Sequence, residues 1–282
     1  MKDDIAGLAA LLRRHPRLFV LTGAGISTSS GIPGYRDAEG NWRSRKPITH
    51  QEFVGDAAYR RRYWARSMQG WPVIATARPN AAHTALAWLE RSGRVGQLVT
   101  QNVDGLHRLA GSENVIDLHG RLRDVVCIDC AAMHARQGVQ AMLEAANPGF
   151  VSGATATPAA APDGDADVDV DSSSFVLPAC PACGGMLKPD VVFFGANVPK
   201  DRADAALAAA LSADAVLVAG SSLMVRSGYR LCEAAHAAGK PVVAVNRGRT
   251  RADHLLALKV DAECGAALSQ LAASLSQFAA SL

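Results

Sequence analysis

The sequence has few aromatic residues, no long apolar run and no strong excess of either charge. Aromatic residues make up 5% of its 282 residues, and the formal net charge at pH 7 is +3. So small a charge does not favour nucleic acid or an anionic membrane as a partner. The sequence also lacks the ~18 consecutive apolar residues that a membrane-spanning helix needs. We therefore expect no nucleic-acid and no membrane partner.

The first residues do not have the pattern of a secretory signal. They read Met1-Lys2-Asp3-Asp4, whereas a signal peptide has a basic start followed by an apolar run. We therefore expect a cytoplasmic protein. Because the cytoplasm keeps thiols reduced, the cysteines of such a protein are expected to bind metal or stay free rather than to form disulfides.

Four of the six cysteines form two Cys-x-x-Cys pairs, which is the spacing of a zinc site. The pairs are Cys127 with Cys130 and Cys180 with Cys183. Four thiolates fill every position of a tetrahedral zinc ion, so we predict one structural ion and no catalytic metal. The pairs lie 49 residues apart (131–179), and within that gap residues 153–174 are mostly Ala, Pro, Gly, Asp and Ser. This composition predicts a mobile surface loop.

Short apolar runs alternate with helical patterns along the rest of the chain, which predicts an α/β fold with a doubly wound parallel, Rossmann-like sheet. The predicted strands are 18–21, 97–100, 115–118, 188–195, 215–219 and 242–245. We assign the Rossmann-like domain to residues 1–36, 93–120 and 187–282. A helical insertion is predicted at 37–92, and a zinc-binding module at 121–186.

The stretch Thr22–Arg36 has the pattern of a phosphate-binding turn, and the other predicted site residues are interpreted in relation to it. Gly23 and Gly25 follow a predicted buried strand and permit a close approach of the backbone. Ser27 and Thr28 are suited to cap a following helix, whose first amides would face an anion. A dehydrogenase-type fingerprint has a third glycine where Thr28 stands. The stretch therefore predicts nucleotide binding rather than hydride transfer.

Polar or small residues follow several predicted strands. Turns begin at Gly23, Gly220 and Asn246, and the polar run 101–104 and His119 follow two further strands. The carboxyl ends of parallel strands share one edge of a sheet, where ligands bind. We therefore expect a dinucleotide to lie across this edge.

Two residues in the predicted helical insertion suggest a binding site for an acid. Tyr63 and Arg66 are three apart, so they share one face of a helix. A guanidinium beside a phenol can receive a carboxylate. The alternative is a solvated arginine beside a packed tyrosine.

The motifs together resemble those of the sirtuin family, the NAD-dependent protein deacylases. In family order they are Gly-Ala-Gly-Ile-Ser, Gly-Ile-Pro-x-Tyr-Arg, Thr-Gln-Asn-Val-Asp-Gly-Leu-His, Leu-His-Gly, the paired cysteines and Gly-Ser-Ser-Leu, and they span residues 22–248. Residues 60–66, 187–195 and 227–230 most resemble the class II branch.

The resemblance implies a role for each matching residue. His119 would be the general base, and Asn102 and Asp104 would assist catalysis beside the nicotinamide. The substrate peptide would pair as a strand with Val192, Phe193, Phe194 and Gly195. The residues implied to hold NAD are Gly23, Ala24, Gly25, Thr28, Tyr35, Arg36, Gln101, Asn102, Asp104, Gly220, Ser221, Ser222, Asn246, Arg247, Gly248 and Cys264.

The implied reaction moves the acyl group of a modified lysine to ADP-ribose. The acyl oxygen attacks C1′ of the NAD ribose as nicotinamide leaves, and His119 takes a proton from a ribose hydroxyl. The products are free lysine, nicotinamide and O-acyl-ADP-ribose. An imidazole suits this step because its ordinary pKa, about 6.5, is close to working pH.

Two features depart from the family pattern. Gly34 stands where family members commonly have Asp, which puts the catalytic rate in doubt more than NAD binding. The gap between the cysteine pairs is also long for the family.

Alternative functions stay open from the sequence. They are protein mono-ADP-ribosyl transfer from NAD and a non-catalytic module that binds NAD or zinc. Tyr63 and Arg66 suggest acidic acyl groups such as succinyl, but lipoyl and long-chain groups are equally open.

Overall fold

The structure, a computed structural model, describes residues 2–35, 37, 47–150, 161–166 and 171–279. In these ranges the α-helices are α1 (Lys2–Arg14), α2 (His50–Gly55), α3 (Ala57–Thr76), α4 (Ala81–Arg91), α5 (Leu106–Leu109), α6 (Arg136–Ala146), α7 (Lys200–Ser212), α8 (Arg226–Ala237) and α9 (Cys264–Ala279). The strands are β1 (Leu18–Thr22), β2 (Val95–Thr100), β3 (Val115–Asp117), β4 (Gly120–Cys127), β5 (Met133–Ala135), β6 (Leu187–Val191), β7 (Ala215–Ala219), β8 (Val242–Val245) and β9 (Leu256–Val260). None of the helices in these ranges combines the length and the apolar character needed to cross a membrane.

Six strands form a parallel sheet in the order β3-β2-β1-β7-β8-β9. Every residue of β1, β7 and β8 is buried, as expected for central strands that helices cover on both faces. One face packs against α1, α4 and α9, and the other packs against α7 and α8. The strand order reverses between β1 and β7, which is the switch point where ligands bind in such sheets. The predicted doubly wound sheet is confirmed.

A second sheet has three antiparallel strands in the order β5-β4-β6. It packs with α3 and α6 in a separate hydrophobic cluster. The prediction that residues 188–195 continue the large parallel sheet is wrong. β6 ends at Val191 and pairs with β4, for example Leu187 with Cys127. Burial alternates along β6, which is the pattern of a strand with one buried face rather than two.

The predicted domain boundary at residue 92 differs from the structure. Helix α4 buries Ala82, Leu86 and Leu89 in the same cluster as Leu268 and Leu271 of α9. It therefore belongs to the large sheet and not to the helical insertion. The spacing of its apolar residues gives α4 one buried face, but that spacing alone does not reveal which neighbour covers the face.

The turn after β1 leads into a 3-10 helix, Ala24–Ser30, and not into an α-helix capped by Ser27 and Thr28. Gly23 occupies the N-cap position without a side-chain hydrogen bond. The Ser27 hydroxyl donates instead to Asp104 Oδ2 at 2.7 Å, and the Thr28 hydroxyl donates to the Gly25 carbonyl at 3.0 Å. The predicted capping roles are therefore wrong, because both hydroxyls have other partners.

Part of the predicted mobile loop 153–174 packs against the protein. In the described residues 161–166, Asp165 is 4% and Ala166 0% exposed. Residues 153–160 and 167–170 lie outside the described ranges. A composition poor in apolar residues predicted a solvated segment, but Asp165 is buried beside an arginine 99 positions earlier in the chain.

Candidate active site

A deep cleft with a volume of about 1130 Å³ lies between the carboxyl edge of the large sheet and the small sheet. The turns after β1 and β7 form one wall, and residues 192–195 with Tyr63 form the opposite wall. The cleft therefore opens at the switch point, where the topology leaves room between two diverging connections.

The two glycine turns at the switch point touch each other through their backbones. The Gly25 amide donates to the Gly220 carbonyl at 2.8 Å. A Cβ on Gly25 would lie 2.8 Å from that same carbonyl oxygen, and a Cβ on Gly23 would lie 2.8 Å from the Ser221 hydroxyl. Gly220 has a positive φ of 61°, which favours glycine. Glycine is required here because two separate turns must come into contact.

A buried polar cluster forms the floor of the cleft beside these turns. The Asn102 side-chain amide donates to the Ser27 hydroxyl at 3.0 Å, and Ser27 donates to Asp104. Asp104 also accepts the Leu106 amide at 2.9 Å. Burial raises the pKa of Asp104, and its hydrogen bonds partly offset that rise. The cluster fixes the Asn102 amide and the Asp104 carboxyl at the cleft wall before any ligand arrives.

His119 reaches the cleft from the end of β3. Its Nδ1 lies 2.9 Å from the Gln101 carbonyl, and its Nε2 lies 2.8 Å from the Ser227 hydroxyl. Since a carbonyl only accepts, Nδ1 carries the proton, and Nε2 of the neutral ring accepts from Ser227. Burial lowers the pKa of His119 to about 4, against a smaller opposing effect of the Gln101 bond. The imidazole is therefore neutral at physiological pH, with its unprotonated Nε2 free to accept a proton, but burial makes it a weaker base than the ordinary pKa of about 6.5 implies.

Residues 192–195 leave β6 and run along the opposite wall. The Val192 amide donates to the His119 carbonyl at 2.8 Å, and the Phe194 carbonyl accepts the His50 amide at 2.8 Å. Phe193 packs against Tyr63, with ring centroids 5.2 Å apart. These contacts hold residues 192–194 beside His119, and the chain turns at Gly195, where the Ala196 amide donates to the Phe193 carbonyl at 3.0 Å.

The far end of the cleft is formed by the turn after β8 and the start of α9. Asn246 is 7% exposed, and its side-chain amide donates to the Arg247 carbonyl at 2.7 Å. The Cys264 thiol lies 3.5 Å from the Val245 carbonyl, and burial raises its pKa to about 12. Cys264 is therefore a neutral, packed wall residue and not a nucleophile.

Most of the residues predicted to bind NAD or substrate line this one cleft. Those that do are Gly23, Ala24, Gly25, Thr28, Tyr35, Tyr63, Gln101, Asn102, Asp104, His119, Val192, Phe193, Phe194, Gly195, Gly220, Ser221, Ser222, Asn246, Arg247 and Cys264. Gly248 and Arg66 are not among its described lining residues. Arg36 lies outside the described ranges.

Sequence reasoning missed several lining residues, including Lys200, Arg226 and Arg249. Ser227 contacts the imidazole, Glu263 lines the far end beside Cys264, and Asp163 and Asp165 come from the long cysteine gap. Glu263 accepts the Gly265 and Ala266 amides at 2.8 Å each, a capping role that the sequence did not signal because glutamate is not among the preferred N-cap residues. No sequence signal placed Asp163 or Asp165 at the cleft.

The prediction that Arg66 faces the binding site together with Tyr63 is wrong. Its Nε lies 2.9 Å from Asp165 Oδ1, and the two side chains are 8% and 6% exposed. Tyr63 does line the cleft, and burial raises the pKa of its phenol. The helix spacing was read correctly, but it did not reveal the partner that takes up the guanidinium.

The four paired cysteines come together as predicted. Their sulfurs all lie within 4.8 Å of one another, with Cys127 and Cys183 3.6 Å apart and Cys130 and Cys180 3.8 Å apart. A tetrahedral ion with Zn–S bonds of about 2.3 Å requires sulfurs about 3.8 Å apart. None of the four forms a disulfide. The spacing and the soft donor set fit one structural zinc ion.

The fold and the cleft define a class of α/β protein that binds a dinucleotide at the switch point of a doubly wound sheet. The Sir2 family model matches residues 23–227. The "NAD-dependent protein deacetylase" of Xanthomonas campestris pv. campestris (strain 8004) is 57% identical over 265 residues, which are 94% of this chain and 89% of that protein. The protein of the same name from Bordetella pertussis is 54% identical over 270 residues, which are 95% of this chain and 97% of that protein.

Solved structures agree with this assignment. One described as "Sir2-p53 peptide-NAD+" superposes with a TM-score of 0.77 at 27% identity and covers 99% of each chain. Another, described as "Structural Basis for the Mechanism and Regulation of Sir2 Enzymes", has a TM-score of 0.77 at 30% identity and covers 99% of this chain and 100% of its own. The chain belongs to the Sir2 family. The predicted resemblance is confirmed at the family level, and the class II branch stays a prediction.

Proposed function

We propose that this chain is an NAD-dependent protein-lysine deacylase whose general base is His119. The observation that carries the proposal is the neutral imidazole with its unprotonated Nε2 in the same cleft as both glycine turns. Bound NAD supplies a ribose carbon whose bond to nicotinamide breaks and which takes up the acyl oxygen. The relatives named as NAD-dependent protein deacetylases support this activity.

The roles of the cleft residues follow from their contacts. The touching turns at Gly25 and Gly220 leave room for a pyrophosphate against backbone, and Asn246 and Cys264 form the wall for the adenosine half. Asn102 and Asp104 are held rigidly at the nicotinamide end by Ser27. Preorganised dipoles of this kind stabilise a developing charge without having to reorient.

The peptide carrying the acyl-lysine is proposed to lie along residues 192–195. The Val192 amide and the Phe194 carbonyl already bond to His119 and His50, which fixes residues 192–194 in place before the chain turns at Gly195. An extended peptide adds to such a segment by main-chain hydrogen bonds, which give affinity without strict sequence selection. Protein targets with accessible acyl-lysines in extended segments are the proposed partners, and the cytoplasm is the proposed compartment.

His119 works as a base because its two nitrogens have different partners. The Gln101 carbonyl keeps the proton on Nδ1, so Nε2 can accept a proton from a ribose hydroxyl in place of the Ser227 hydrogen bond. A positioned base of this kind contributes about 10²–10⁴-fold to a rate.

The test is nicotinamide release from NAD with an acetyl-lysine peptide. We expect release to depend on the peptide, and label from the ADP-ribose half of NAD to appear in a soluble acetyl ester. If the label instead becomes fixed on protein, the activity is mono-ADP-ribosyl transfer and not deacylation. No nicotinamide release with any acylated peptide would leave only a non-catalytic NAD-binding role.

A further inference from the structure

Residues 161–166 supply both partners of the Arg66 Nε. Besides the contact with Asp165 Oδ1 at 2.9 Å, Arg66 Nε donates to the Ala166 carbonyl at 2.7 Å. Both charged side chains are almost fully buried. The guanidinium one helical turn after Tyr63 is thus neutralised by the chain itself.

Helix α3 has a matching seat for this segment. A Cβ on Gly70, one turn after Arg66, would overlap the carbonyl of Gly164. Gly164 itself has φ +72° and packs over Leu122 and Ile74. The close backbone approach and the apolar support fix the register of the segment, so that Asp165 is held beside Arg66.

The cleft beside Tyr63 therefore presents acidic groups. Asp163 and Asp165 both line it, whereas Arg66 does not. Asp163 also forms a hydrogen bond with the Tyr35 hydroxyl, and its buried position raises its pKa. A carboxylate on an incoming acyl chain would find no free cation among the described lining residues beside Tyr63 and would have to separate the buried Arg66–Asp165 ion pair to reach the guanidinium, which is costly.

On the basis of the proposed deacylase function, we propose that Asp165 is a specificity-determining residue that holds Arg66 and so restricts the cleft to uncharged acyl groups. Acetyl and other acyl chains without a terminal carboxylate are accepted. Succinyl and glutaryl groups are rejected, although Tyr63 and Arg66 are both present. The specificity of the cleft is then set by the inserted segment and not by α3 alone.

The experiment compares kcat/KM on one peptide carrying either acetyl-lysine or succinyl-lysine, using the full chain. For the unchanged protein we expect acetyl-lysine to be the better substrate. In Asp165→Asn the succinyl-to-acetyl ratio of kcat/KM should rise about tenfold or more. An opposite charge within about 4–6 Å lowers the pKa of a carboxyl group by about 1–3 units, and one unit is a factor of ten in the preference for the charged form. A purely structural role would lower both values and leave the ratio unchanged.

Two variants serve as controls. The double variant Asp165→Asn with Arg66→Gln removes the guanidinium that Asp165→Asn leaves without its counter-ion, so the ratio should return to that of the unchanged protein. Asp171→Asn removes an exposed carboxylate farther along the same insertion, where Asp171 accepts the Ser173 amide at 2.9 Å, and it should leave the ratio unchanged.

The outcomes separate the two proposals. If the unchanged protein has a higher kcat/KM on succinyl-lysine than on acetyl-lysine, the specificity proposal is overturned, whether or not the variants fold. An unchanged ratio in folded Asp165→Asn that still removes acetyl groups overturns it too, while the deacylase function stands. No nicotinamide release from any peptide overturns both.

Discussion

The two walls of the cleft are held in place by different physical means. The wall from the large sheet depends on apolar burial and on the backbone contact between its glycine turns. The wall from the small sheet depends on a cluster of four cysteines and on buried arginines. Arg136, 1% exposed, packs between Trp64 and Trp71 and donates to the Ser67 carbonyl at 3.1 Å. The small wall therefore adds polar and metal contacts between distant parts of the chain to a hydrophobic cluster of its own.

The reason for the difference is size. The large sheet has apolar layers on both faces, and burial of one large aliphatic side chain contributes about 1.5–3 kcal/mol. The small sheet has three strands and helices packed on it in a single cluster. Small units of this kind usually need a metal or a cross-link in addition to their core.

The largest expected effect comes from removing a zinc ligand. Structural zinc contributes about 10–16 kcal/mol of apparent binding free energy to small domains. Cys127→Ala should therefore lose the metal and unfold the small wall, while the large sheet keeps its structure. Zinc content reports the loss of the metal. Limited proteolysis with mass mapping shows whether the small wall alone, or the large sheet as well, has unfolded.

The matched control is Cys232→Ala, which removes a buried cysteine of α8 that lies outside the cluster. It should retain one zinc ion per chain. Simultaneous loss of both walls in Cys127→Ala would contradict the idea that they are stabilised independently.

The next effect concerns His119, where the two walls meet. His119→Ala should lower the rate of deacylation by about 10²–10⁴-fold, because it removes the positioned base. Zinc content and the unfolding midpoint should stay close to those of the unchanged protein. His236→Ala, which changes an exposed histidine of α8, is the control and should keep full activity. Unchanged turnover in His119→Ala would remove that residue from the mechanism.

A smaller effect is expected at the backbone contact between the glycine turns. Gly25→Ala would place a Cβ 2.8 Å from the Gly220 carbonyl, and overpacking of this kind costs about 1–3 kcal/mol. We expect weaker NAD binding by calorimetry and a lower free energy of unfolding, with zinc retained. Gly138→Ala in α6 meets nothing within 4 Å and should be neutral or up to about 1 kcal/mol stabilising. Equal effects of both changes would show that the turns do not need to touch.

The smallest effect is on stability against pH. Burial lowers the pKa of His83 to about 4, whereas the unfolded chain titrates near 6.5. Between these two pH values the unfolded state binds more protons than the folded state. The contribution of His83 to the free energy of unfolding is therefore fully present above pH 6.5 and is lost as the pH is lowered towards 4. His83 alone should account for about 2 kcal/mol between pH 7.5 and pH 5.

Urea unfolding at both pH values measures this difference. In His83→Gln the loss of stability from pH 7.5 to pH 5 should be smaller than in the unchanged protein. His236→Ala, at an exposed position, should keep the full loss. A difference that is the same in all three proteins would mean that His83 does not titrate as its burial requires.

Prediction from the sequence succeeded where the pattern is local. The strands 215–219 and 242–245 have the predicted bounds, since short continuous apolar runs followed by turn residues are typical of buried strands. The convergence of the turns at Gly23 and Gly220 was also predictable, because the carboxyl ends of parallel strands must share an edge. β9 was missed, because only Val260 of it is fully buried and Lys259 interrupts its apolar run, which gives a weak signal beside the apolar central strands.

The sequence by itself determined the chemistry that this protein carries: glycine turns after buried strands, a histidine at a strand end and two cysteine pairs at ligand spacing. These features depend on neighbours within a few residues, so their order along the chain is enough. Only the tertiary structure decided which charges are available in the cleft. Arg66 and Asp165 are 99 positions apart, and their ion pair exists because α3 offers a seat at Gly70 for a segment whose composition predicts no packing at all.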